Sequence, residues 1–153
     1  MLRLLAHLAC ERVVVDQDTN QISVLSILQD LNVAVFPGAT IPEKALAPMF
    51  WSSFSLWESE DSDHGVSFDF KTSLESPSGQ ILTHQEITTS EVTKPAVRVI
   101  TKFSGFPISE QGSYHVLQSI RKNPDGEWEQ VSTFRITVKH VPTEDATPSE
   151  TKG

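Results

Sequence analysis

The chain holds one cysteine, Cys10, and one tyrosine, Tyr114, in 153 residues. A single thiol excludes an intrachain disulfide, and a chain of this size without one suits a reducing compartment. Glycine is scarce too: the seven glycines stand singly at turns or at the starts of apolar runs, so no Gly-rich loop can cradle a phosphate. No apolar run approaches the ~18 residues of a membrane span. Twelve Lys and Arg stand against 20 Asp and Glu without a basic cluster, and a net charge of −8 repels a phosphate backbone. Neither nucleic acid nor a membrane is an expected partner. The start, MLRLLAHLAC, has the outline of an export signal ending at a lipid-accepting cysteine. However, His7 interrupts the run Leu4–Leu8, which is itself shorter than the about 7 to 15 apolar residues of such a signal. The expected location is cytoplasmic.

What the chain does contain is alternation with punctuation. With 38% hydrophobic and 21% charged residues, it reads as one globular domain. Leu2, Leu4, Ala6, Leu8 and Cys10 share one parity, and Val13–Val15 follows as a β-branched run. Asp16–Asn20 is a polar turn. Ile22–Phe36 is apolar on both parities and could be helix or strand over 22–31; its Ile and Val content favours a strand, a break near Gln29–Asp30 and a second strand. Three prolines between Pro37 and Pro48 make a loop. Met49–Trp57 is a strand, Glu58–His64 a charged hairpin loop closed by Gly65, and Val66, Phe68 and Phe70 alternate against polar neighbours. Ser76–Gly79 and Asn123–Gly126 are turns between further strands, the last spanning Glu127–Lys139. Turn signals recur about every 8 to 12 residues, which predicts an all-β antiparallel sandwich of about eight strands over residues 1–141. Residues 142–153 carry no large apolar side chain and are expected to be a disordered tail.

Few constellations suggest chemistry. Glu58, Glu60, Asp61 and Asp63 could offer oxygens to Ca²⁺, and Asp61-x-Asp63-x-Gly65 has the spacing of half an EF-hand loop. The bidentate acid such a loop needs at its twelfth position falls on Thr72, which cannot serve. His7, His64, His84, His115 and His140 show no zinc spacing, and no Gly-x-Ser-x-Gly occurs. Cys10 ends an apolar run, the setting of an inert buried thiol. No cofactor is expected, and neither is catalysis; a site between the sheets would need a pocket with titratable groups in contact. Trp51 and Trp57 share the face opposite Phe50, Phe54 and Leu56. If the even set is interior, two tryptophans lie outside as interface anchors; the alternative is that a bulge turns them inward. The leading expectation is therefore a non-catalytic module that binds a protein partner or itself. The alternative is a small-ligand or Ca²⁺-responsive domain using the 58–63 loop.

Two stretches carry resemblances. Glu110-x-Gly112-x-Tyr114-x-Val116 resembles the tyrosine-corner entry of immunoglobulin-like domains, with Val116 where many of them have cysteine. The resemblance implies an immunoglobulin-like sandwich with Gly112 and Tyr114 as structural residues, and a Tyr114 hydroxyl bonded to backbone between Phe106 and Gln111. The second resemblance runs from Ala9-Cys10-Glu11-Arg12-Val13-Val14-Val15-Asp16 through Thr19–Val24 to Gly112-x-Tyr114 and Phe134-x-Ile136-x-Val138. It resembles a family of short bacterial β-sandwich proteins of unknown function, and no catalytic residues come with it.

Overall fold

The computed structural model describes residues 1–143. They form nine strands: β1 Arg3–Val15, β2 Ile22–Ile27, β3 Asp30–Val35, β4 Leu46–Glu58, β5 Phe68–Glu75, β6 Ile81–Thr88, β7 Ala96–Pro107, β8 Gly112–Lys122 and β9 Glu129–Pro142. The one helical piece among the described residues is a single 3-10 turn at Asp61–Asp63. The first sheet has the order β2-β1-β4-β7 and the second β3-β9-β8-β5-β6. Every pair is antiparallel except β3 with β9. The all-β sandwich expectation holds with nine strands, and the doubtful segment Ile22–Phe36 breaks near Gln29–Asp30 as expected, into β2 and β3, which join different sheets.

Local chemistry explains the joints. The β1–β2 turn closes because Asp16 Oδ1 accepts the amides of Asp18 and Thr19, both at 2.9 Å. Glu58–Gly65 is not a hairpin loop: it carries the chain from β4 in the first sheet to β5 in the second. At the other end, order continues past residue 141. Pro142 pairs with Val35, and the Thr143 amide donates to Val35 O at 2.9 Å, since β3 offers β9 a parallel partner. The tail expected from residue 142 thus begins no earlier than 144, and 144–153 lie outside the described residues.

Two apolar clusters fill the interior. Trp51, Phe103, Phe106, Tyr114, Val116 and Ile136 anchor one end; Trp57, Phe68, Phe70, Val99 and Ile120 anchor the other. Between them lies a polar belt. Thr72 Oγ1 sits 3.2 Å from Thr101 Oγ1 and donates to Gln118 Oε1 at 3.2 Å, so facing sheets share hydrogen bonds there.

Trp51 and Trp57 are interior, 1% and 0% exposed, which corrects their expected outward placement. Trp51 stacks on Phe103 with centroids 4.3 Å apart, and its Nε1 donates to Gly105 O at 3.0 Å. Trp57 Nε1 donates to Ser55 Oγ at 2.8 Å, which satisfies the indole and the buried serine together. Phe50 is the residue left outside, 76% exposed. The first strand also departs from simple alternation. A bulge between Leu4 and Ala6 inverts its parity, so that Leu2 and Leu4 face the core before it and His7 and Ala9 after it.

Candidate functional site

Gly112 opens β8 and Tyr114 follows two residues later. Tyr114 is buried, and its hydroxyl donates to Glu110 O at 2.7 Å. Gly112 has φ +126, and a Cβ there would lie 3.1 Å from Pro77 Cβ. Only glycine meets both conditions. Val116, two residues on, is fully buried in the first cluster.

The acidic loop does not gather its oxygens. Glu58 pairs with Arg3, whose Nε donates to Glu58 Oε2 at 2.9 Å. Asp63 is buried. One of its oxygens lies 2.8 Å from the Met1 amino group, and the other accepts the Glu60 amide at 2.9 Å. Burial pushes the Asp63 carboxyl up, but these hydrogen bonds and the ammonium charge outweigh it and hold it below the ordinary value. Its role is therefore to close the loop. Among the described residues, no three His, Cys, Asp or Glu side chains converge as metal ligands. The 58–63 loop accordingly lends no geometry to a Ca²⁺ site with Glu58, Glu60, Asp61 and Asp63.

His7, half-buried on β1, has a structural role that its sequence neighbours do not signal. Its Nδ1 lies 2.9 Å from Ser132 Oγ on β9, and its Nε2 3.4 Å from Ser53 Oγ on β4, so the ring bridges the two sheets. A neutral imidazole offers one donor and one acceptor, and each hydroxyl can play the complementary part. Burial lowers its pKa from 6.5 to about 4. Two grooves lie elsewhere. One of about 550 Å³ runs between Asn20 and the segment Thr89–Arg98, and another of about 420 Å³ touches Gln29, Asp30 and Arg135. The His7 contacts therefore tie the two sheets together. The Cys10 thiol is also buried, which raises its pKa and keeps it protonated.

The outer sides of the sheets differ sharply. On the second sheet, Asp69 accepts from Thr88 at 2.7 Å, Asn123 at 2.9 Å and Arg121 Nε at 2.8 Å. Lys71 and Arg121 lie over the Trp128 ring at 4.4 and 4.5 Å. His115 Nδ1 lies 3.5 Å from Glu75. These groups satisfy one another. On the first sheet the even residues of β4 face out, and Phe50 and Leu46 are left exposed. Ile27, which pairs with Cys10 beside Ser52, adds a third large apolar side chain, 52% exposed. The sequence held a sign of this: large apolar residues occupy both parities of Phe50–Trp57, so one set had to remain outside or be covered.

A scan against protein-family models finds no match, and a search of curated proteins finds no relative.

Proposed function

We propose that this chain is a non-catalytic, cytoplasmic β-sandwich of immunoglobulin-like connectivity that acts by binding another protein through the outer side of its first sheet, around Phe50, Leu46 and Ile27. The observation that carries this reading is the 76% exposure of Phe50, a phenylalanine on β4 just past the register shift that follows Ala47. Exposed large apolar side chains gathered on one side are a common mark of interaction surfaces, and aromatic residues are common anchors in them. The self-satisfied polar network over β5 and β8 of the second sheet supplies the contrast. Connectivity supports the immunoglobulin-like assignment. Strands β4 and β7 pair in one sheet, β5, β8 and β9 in the other, and the tyrosine corner opens β8. The engagement of Glu58 by Arg3, and of Asp63 by the Met1 amino group and the Glu60 amide, supports a binding role over a metal-responsive one. The resemblance to the short bacterial sandwich proteins is part of this proposal and rests on the residues quoted for it. A net charge of −8 argues against nucleic acid as the partner.

The test is a comparative pull-down from the native host with three baits: wild type, Phe50→Asp, and Glu86→Lys on the second sheet's outer side. A partner kept by wild type and Glu86→Lys but lost by Phe50→Asp is the expected result. Equal retention by all three baits would remove the first sheet's outer side from the account. Light scattering on the same proteins distinguishes self-association, which Phe50→Asp should abolish.

A further inference from the structure

The β1–β2 hairpin cannot lie flat in the first sheet. Ala6 on β1 pairs with Leu56 on β4, and Leu56 pairs with Arg98 on β7, so these three form one row across the sheet. A straight β1 would carry Val15 about 30 Å along the strand from that row. Yet Arg98 Nη1 donates to Asn20 Oδ1 at 3.2 Å and Nη2 to the Asn20 carbonyl at 2.6 Å, and Asn20 sits in the turn beyond Val15. The hairpin must therefore fold back. It does so over the outer side, because Val97 and Val99, flanking Arg98, pack into the core and leave Arg98 facing away from it.

The bend is visible in the pairing. The β1–β4 ladder ends at Cys10 with Ser52, and the β1–β2 ladder skips Glu11 and Ser26, the latter at φ +56. On that outer side lie Cys10, 0% exposed, and Phe54, 6% exposed. Both face the outer side and belong to neither core cluster. Uncovered, they would be as wet as Phe50. The hairpin itself is lightly attached. No residue from Glu11 to Ile27 joins either core cluster, and Val14, Val15, Leu25 and Ile27 remain exposed. Segments with few buried apolar contacts open locally before the domain unfolds.

We propose that the β1–β2 hairpin is a hinged flap, latched by Arg98 on Asn20, whose opening bares an apolar strip of the first sheet around Cys10 and Phe54. This inference stands on the fold alone and survives failure of the binding reading. Where that reading holds, the latch sets how much apolar surface the chain presents.

Cys10 is the only thiol in the chain and therefore reports the opening. An aromatic disulfide reagent in excess, applied to the full chain across low urea concentrations, measures its labelling rate. Wild type should label with a rate that depends weakly on urea, the sign of local opening. Arg98→Ala should label about tenfold faster, the size expected for losing charge-assisted bonds at a surface, with an unchanged urea midpoint of tryptophan fluorescence. Asn20→Gly keeps the positive φ of that residue and its carbonyl acceptor, and so should accelerate labelling less. Labelling that follows global unfolding with the same steep urea dependence in all three proteins overturns the flap. So does an Arg98→Ala rate equal to wild type.

Discussion

The outer side of the second sheet and the outer side of the first solve the same problem in opposite ways. On the second, every buried or half-buried charge has a partner: Asp69 holds Arg121, Asn123 and Thr88, and Trp128 lies under two cations. On the first, apolar side chains face out, some beneath the folded hairpin and some bare, as Phe50 is. The polar network over β5 and β8 is complete within one chain, with Ile81 and Leu82 exposed only on the edge strand β6; the first sheet leaves Phe50, Leu46 and Ile27 for something else to cover. The difference separates residues that stabilise the fold from residues available for recognition.

The interior common to both sheets gives the largest expected effect and the reference for the rest. Trp57→Ala should cost about 3–5 kcal/mol in urea unfolding, through the cavity it leaves against Phe70 and the orphaned Ser55 hydroxyl. It should do so without selectively removing a partner.

Acid gives the next effect. The unfolded chain protonates His7 near 6.5 while the folded chain resists until about 4, so the unfolded state binds more protons between these values. Stability should be unaffected by His7 above 6.5, fall as pH drops from 6.5 to 4, and level off below, by about 3 kcal/mol in total. His7→Gln should flatten that window in a pH series of urea midpoints. A second loss should follow at lower pH. Burial would raise the Asp69 carboxyl, but the bonds from Thr88, Arg121 and Asn123 hold it below its ordinary value, so its contribution is present above that value and disappears as it protonates.

The two outer sides are then compared directly. Asp69→Ala should cost about 2 kcal/mol by stranding Arg121 and its companions. Phe50→Ser should change stability by less than about 0.5 kcal/mol, since an exposed side chain contributes little to the fold. A large stability loss for Phe50→Ser would break the comparison, because it would make Phe50 a packing residue.

The sequence revealed the periodicity of the fold but not its handedness in space. Turn chemistry at Asp16–Asn20, Ser76–Gly79 and Asn123–Gly126 placed the strands, and Tyr114 pointed to the hydroxyl bond to the Glu110 carbonyl. The faces of β4 were not legible. Ser53 and Ser55 resemble solvent-facing positions until His7 and the Trp57 indole are known to hydrogen-bond them inside. The parity of β1 was hidden by the bulge at Leu5, because one extra residue exchanges the two faces. Nor could one read the folded hairpin, whose evidence is an Arg98–Asn20 contact spanning 78 positions.

The most direct test of the central claim is a hydrogen–deuterium exchange footprint of the chain with and without the partner that Phe50→Asp fails to retain. The account predicts new protection at residues 46–52 and 25–27, with residues 81–88 on β6 unchanged. Protection confined to β6 and the Asp69 surface, with residues 46–52 exchanging as before, would contradict it.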